Sequence, residues 1–99
     1  MEYHFDWDAS KAASNFVKHG VRFEQAATVF LDPRAISIFD TDHSDDEDRW
    51  MTLGISATGG LLVVNHTFAP TDGGTVAVRI ISSRKATKGE ATQYLEVKS

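Results

Sequence analysis

The stretch LLVVNHTFAPTDGGTVAVRIIS, residues 61–82, decides the fold. Leu61 to Phe68 and Val76 to Ser82 each read as a strand, and Ala69-Pro-Thr-Asp-Gly-Gly74 between them is turn chemistry, so the two runs are expected as antiparallel neighbours. Alternation places Leu62, Val64, His66 and Phe68 on one face of the first strand. In the second it separates Val76, Val78 and Ile80 from Ala77, Arg79 and Ile81. Upstream, Ala35–Asp40 and Arg49–Ser56 carry the same period of two, with Ala57-Thr-Gly-Gly60 as a further turn. Short connections predict sequential antiparallel pairing, a β-meander.

Before Pro33 the period lengthens. Tyr3, Phe5 and Trp7 alternate with polar residues as a half-buried strand would. Asp8 is placed to cap a helix over Ala9–His19, in which Ala12, Ala13, Phe16 and Val17 recur at helical spacing and Gly20 supplies the stop. Phe23, Ala26, Ala27 and Phe30 predict a second helix over Phe23–Phe30, ended by Asp32-Pro33. A last helix is expected from about Lys85 to Val97, opened by the capping box Thr87 to Glu90. The expected fold is α+β: an antiparallel sheet packed against an N-terminal helix pair, with a C-terminal helix, in one domain over residues 1–99.

Composition narrows the function. There is no cysteine, which excludes a disulfide framework, a thiol nucleophile and thiolate zinc sites, and the cytoplasm is the expected compartment. No basic leader followed by an apolar run opens the chain, and no uncharged apolar stretch nears the roughly 20 residues of a membrane span, so no membrane partner is expected. The formal charge of -4 is segregated: residues 1–50 hold five Lys/Arg against eleven Asp/Glu, residues 51–99 five against three. Asp40 to Asp48 concentrates six carboxylates, whereas Arg79, Arg84, Lys85 and Lys88 gather four cations in ten residues.

Those cations are expected to converge at a strand-to-helix corner, where phosphate is the natural ligand. Taken alone, Arg79 reads as an arginine that snorkels at a sheet edge, and it is the neighbouring cations that turn the reading towards a ligand. His66 has two readings, a hydrogen-bonded core imidazole or a proton-transfer group active near neutral pH. Arg49 is either a further guanidinium for the site or the partner of a carboxylate among Asp45 to Asp48. His43 with Asp40, Asp42 and Asp45 lacks the spacing of a calcium loop or zinc pair, so a solvated acidic loop is favoured and no metal or cofactor is expected. No Gly-rich phosphate loop, Ser-His-Asp order or paired-carboxylate motif appears.

Three segments in this order resemble the BrnT-type toxins. They are Phe5-Asp-Trp-Asp8 with Lys11-Ala12, Asn15, Lys18-His-Gly-Val21 and Phe23-Glu-Gln-Ala26; then Asp32-Pro33, His43 and Arg49-x-x-x-Leu-Gly54; then Arg79-Ile-Ile-Ser-Ser-Arg-Lys-Ala-Thr87 with Glu90 and Tyr94. The resemblance spans residues 5–94. It implies a RelE-like fold and the toxin of a type II toxin-antitoxin pair, a ribonuclease that cuts RNA and halts translation. It also implies neutralisation by a BrnA-type antitoxin with a ribbon-helix-helix portion, operator DNA being met only through that complex. Such a nuclease needs no metal when side chains activate the ribose 2'-hydroxyl and neutralise the phosphorane. On that basis Arg79 and Arg84 are expected at the phosphate and His66 in proton transfer. Glu90 is a further candidate base, and Tyr94 a hydroxyl or base-stacking platform. Arg49, Lys85 and Lys88 are the expected RNA contacts. The same charges also suit a catalytically weak co-repressor that docks an acidic antitoxin segment. An unrelated small-molecule-binding domain is a third class, marked by a deep apolar pocket.

Overall fold

The computed structural model describes residues 2–98, with side chains through residue 96. Met1 and Ser99, which the single-domain expectation includes, lie outside the described residues. Nine elements follow in order: β1 (Glu2–Asp6), α1 (Ala9–His19), α2 (Phe23–Ala27), β2 (Ile36–Phe39), β3 (Arg49–Ile55), β4 (Leu61–Thr67), β5 (Ala69–Pro70), β6 (Thr75–Lys85) and α3 (Lys88–Lys98). After Ala27 the backbone tightens into a 3-10 turn over Thr28–Leu31, so the second helix is α-helical for only its first five residues. Thr28 contributes by donating its hydroxyl to the Gln25 carbonyl at 2.6 Å.

The sheet order is β1-β6-β4-β3-β2, with β5 also paired to β6. β2, β3, β4 and β6 form the antiparallel meander expected from the turns. β1 departs from it, lying parallel to β6 with Phe5 opposite Val78 and Asp6 opposite Arg79, so the sheet is mixed. The helical crossover that a parallel pair requires is supplied by everything between β1 and β6.

β6 also departs from simple alternation. Its register with β4 shifts between Asn65 and His66: His66 faces Ile80, but Asn65 faces Ser82. Ile81 is the extra residue of a β-bulge. Val76, Val78 and Ile80 therefore share the core face, while beyond the bulge the even-numbered Ser82 and Arg84 turn to the opposite face, with Arg79. β6 runs three residues past the expected Ser82, and α3 begins three residues later than expected.

One face of the sheet is covered by α1 and α2. There Val21, Phe23, Ala26 and Val29 close over Leu62, Val64, Val76, Val78 and Ile80, and Tyr3, Phe5, Trp7 and Phe30 pack at the margin. Each fully buried Val, Leu, Ile or Phe of this set contributes about 1.5–3 kcal/mol on leaving water. Asn15 fastens α1 to the free edge of β6: its amide donates to the carbonyls of Ser83 (2.9 Å) and Val21 (3.0 Å) and accepts from the Ser83 N–H (3.0 Å). On the other face α3 covers only one end, setting Tyr94 against Leu53 and Val63. The rest of that face is open. Gly54 lets the turn before β2 approach β3, since a Cβ there would lie 2.9 Å from the Val29 side chain.

Candidate active site

On the open face, register places Asp6, Arg79, Thr67 and Arg49 side by side on β1, β6, β4 and β3. Asp6, Thr67 and Arg79 line a cleft of about 450 Å³ with Glu47 and Asp48 of the acidic loop. Arg79 donates from Nη2 to Glu47 Oε1, and its backbone N–H donates to Thr67 Oγ1 at 3.3 Å. Arg49 Nε is buried without a hydrogen-bond partner. A buried, unpartnered guanidinium nitrogen is costly and calls for an acceptor. Two guanidiniums one strand apart on either side, with a hydroxyl between them and carboxylates at the rim, can bind a phosphodiester and take a proton from a neighbouring hydroxyl.

Arg84 is elsewhere. It lies five residues along β6 from Arg79, roughly 15 Å at strand spacing, and grips Glu90 through two parallel hydrogen bonds of 2.8 and 2.9 Å. Glu90 also closes the capping box, accepting from the Thr87 N–H at 2.8 Å while Thr87 Oγ1 accepts from its own N–H. The Arg84 guanidinium, with the Thr87 bonds in support, pulls the Glu90 carboxyl down to about 2 against the smaller upward push of burial. Such a carboxylate is too weak a base to take a proton near neutrality, which counts against the expected role. Arg84 in turn is raised above its ordinary value by Glu90.

Tyr94 is buried, only 4% exposed, so its ring offers no platform for a base. Its hydroxyl donates to Asp32 Oδ2 at 2.6 Å, and that carboxylate also accepts from the Ile55 and Arg34 amides at 2.9 Å each. Burial raises the Asp32 pKa, but these donors outweigh it and the carboxyl ends below its ordinary value. Asp32 raises Tyr94 correspondingly, and burial adds to that. These bonds tie α3 to β3 and to the turn before β2.

His66 faces the helices, opposite Ile80 and across the sheet from Arg79, and is 1% exposed. The Thr67 carbonyl, 2.9 Å from Nδ1, can only accept, so Nδ1 carries the proton. Nε2 then accepts from Thr52 Oγ1 at 2.7 Å, and Thr52 accepts from Ser37 Oγ at 2.8 Å. Burial pushes the imidazole below its ordinary value, with the Thr67 bond opposing. The core reading of this histidine describes its surroundings, which include an edge-on contact with Phe30 at 4.8 Å between centroids.

The four basic residues of the 79–88 stretch therefore do not converge. Lys85 sits opposite Leu62 on the helix-covered face, beyond the core, and Lys88 stands exposed in the first turn of α3. Asp6 and Glu47 had no sequence signal: β1 gives no sign of its partner strand, and nothing distinguishes Glu47 among six neighbouring carboxylates. In the same loop His43 Nδ1 bonds Asp40 Oδ2 at 2.9 Å, closing a 3-10 turn.

Residues 7–90 match the model of the family described as ribonuclease toxin, BrnT, of type II toxin-antitoxin system. The chain belongs to the BrnT family. The fold agrees: the crystal structure of the Brucella abortus ribonuclease toxin BrnT superposes with a TM-score of 0.60, covering 89% of this chain and 100% of that one at 22% identity. No curated protein matches the sequence. As a BrnT-family member the chain is a type II toxin, with RNA as substrate and an antitoxin as partner. No helix among the described residues is long and apolar enough to cross a membrane.

Proposed function

We propose that this BrnT-family chain has a RelE-like fold and is an endoribonuclease whose reaction takes place over the Arg49–Thr67–Arg79 row. The observation that carries the proposal is the unpartnered Arg49 Nε one strand from Thr67, with Arg79 on the other side beside a carboxylate. The ribose 2'-oxygen attacks the adjacent phosphorus and the bond to the 5'-oxygen breaks, leaving a 2',3'-cyclic phosphate. Glu47 takes the 2'-proton, Arg49 and Arg79 neutralise the phosphorane, and water protonates the leaving oxygen. Positive charge comes from the side chains, so this route calls on no metal. Arg84, Glu90 and Tyr94 hold α3 in place, and His66 orders the Ser37–Thr52 hydroxyls beneath the sheet. Lys85 and Lys88, which lie away from this row, remain candidate contacts to RNA beyond it.

Cutting RNA in this way halts translation, and a BrnA-type antitoxin with a ribbon-helix-helix portion neutralises the toxin and carries the complex to operator DNA. The test is to express wild type, Arg49→Ala and Arg79→Ala without antitoxin and follow growth and RNA integrity. Wild type should arrest growth and fragment RNA, and both variants should lose most of that effect. Normal cleavage by either variant would place the reaction elsewhere.

One observation favours a second reading, a catalytically weak co-repressor: the Glu47 carboxylate already occupies Arg79 as an acidic antitoxin segment would. Wild-type protein that binds antitoxin yet leaves RNA intact would establish it.

A further inference from the structure

Away from the Arg79 cleft, a groove of about 270 Å³ runs between α1 and the edge of β6, lined by Ser10, Lys11, Ser14, Asn15, Lys18, His19, Ile81 and Ser82. We infer that this groove binds the RNA backbone flanking the scissile phosphate, with Lys11 and Lys18 contacting phosphates. The inference rests on the ribonuclease reading above.

β1 pairs β6 only as far as Arg79, so the edge from Ile80 onward lacks a strand neighbour and α1 lies alongside instead. The Asn15 clasp on Ser83 fixes the distance between them. Lys11, Asn15 and Lys18 fall at i, i+4 and i+7, which puts both lysines along the seam that Asn15 anchors, about 10 Å apart along the helix axis. No carboxylate lines the groove, in a chain whose formal charge is -4. Lys18 and His19 also suit the helix dipole at the C-terminal turn. Lys11 does not: it stands in the first turn, which holds no acidic residue, where a cation opposes the dipole. The Asp8 carboxylate at the N-cap, which accepts from the Lys11 N–H at 2.9 Å, offsets this in part, and a polyanion in the groove would add to it.

The groove and the cleft share one strand, β6. Ile81 and Ser82 follow Arg79 on the same strand within roughly 10 Å, and Ser82 Oγ accepts from Asn65 on the open face at 2.8 Å. RNA bound at Arg79 would reach the groove by following β6 to Ser82 and turning over the strand edge.

The test compares wild type, Lys11→Ala/Lys18→Ala and Lys11→Arg/Lys18→Arg for binding to a 2'-O-methyl oligonucleotide of twelve nucleotides, which cannot be cut, between low and high salt. Each lost phosphate contact lowers the slope of log K against log salt by about 0.7, so the alanine pair should lose about 1.4 and bind roughly tenfold more weakly near 0.15 M salt. The arginine pair should keep both slope and affinity. Cleavage of a dinucleotide, too short to reach the groove, should be unchanged in all three. Equal slopes for wild type and the alanine pair would overturn the groove while leaving the ribonuclease reading intact. Wild type that neither binds nor cuts RNA would overturn that reading and this inference with it. Weakened antitoxin binding by the alanine pair, with unchanged RNA binding, would assign the groove to an acidic peptide and refute the RNA track.

Discussion

Replacing Arg79 or Arg84 by alanine should produce opposite phenotypes, although both residues lie on β6 and carry the same charge. The Arg79–Glu47 pair is 46% and 43% exposed, so removing it costs at most about 1 kcal/mol of stability. If Arg79 meets the phosphorane, its loss should raise the barrier by about 2.7–4 kcal/mol, a hundredfold to a thousandfold in rate. For Arg84 the balance reverses. A carboxyl held at about 2 instead of 4.5 corresponds to about 3 kcal/mol at most. Because the Arg84 side chain is 36% exposed, water screens the pair, and about 1–2 kcal/mol is the expected loss. In a chain of this size that lowers the melting midpoint by roughly 4–16 °C. The assays are thermal unfolding and kcat/KM on a fluorogenic RNA, measured at 20 °C where every variant remains folded. Arg79→Ala should melt near wild type and cut poorly, whereas Arg84→Ala should melt early and cut within a few-fold of wild type. A hundredfold loss of cleavage in a normally stable Arg84→Ala protein would refute the division of labour.

Glu47→Gln removes the proposed proton acceptor and keeps a polar group at Arg79, so kcat should fall by about 10²–10⁴, with RNA binding unchanged or tighter. Glu90→Gln tests the clamp through pH. The folded-state pKa of Glu90 is depressed, so its stabilisation is full above 4.5 and disappears as pH falls towards about 2. Urea midpoints of wild type and Glu90→Gln should therefore differ at pH 7 and converge as pH falls to about 2. Tyr94→Phe removes a hydroxyl from Asp32, which keeps its two amide donors, and should cost about 1.5–3 kcal/mol in urea unfolding without affecting cleavage at 20 °C. Gly54→Ala would drive a methyl group to 2.9 Å from Val29 and 3.1 Å from Ala35 and Asp32, and should cost about 1–3 kcal/mol by the same measurement.

The meander and helix α1 were legible because their signals are local. Asp8 does cap α1, accepting from the Lys11 N–H at 2.9 Å, and Gly20 ends it with φ 70°. The capping box of α3 was equally readable, since Thr87 and Glu90 make both reciprocal bonds. The pairing of β1 was not legible: alternation in Tyr3, Phe5 and Trp7 states which side is buried, not which strand lies alongside. Neither was the convergence of charge. Arg79, Arg84, Lys85 and Lys88 are near in sequence, but a strand separates residues by over 3 Å each and alternates their faces. Arg84 and Glu90, six residues apart, saturate each other, while the groups that meet Arg79 come from residues 6, 47 and 67. His66 shows the limit of reading a face from its period: apolar neighbours were evident, but the hydroxyl of Thr52 that satisfies Nε2 lies on another strand.

The bulge at Ile81 makes the length of β6 a functional quantity. Its one surplus residue acts as a frameshift in side-chain direction, so that one strand presents Ile80 to the core and Arg84 to the far side of the sheet. Deleting Ile81 would remove the bulge and leave the later residues on their present faces, whereas pairing Ile81 into a regular ladder would invert everything from Ser82 to Lys85: the arginine that holds α3 would point into the layer beneath α1, and Ser83, now fully buried, would face out. No single substitution repairs such an inversion. A substitution at most positions of this strand changes one contact, but a one-residue slip in its pairing exchanges its two faces.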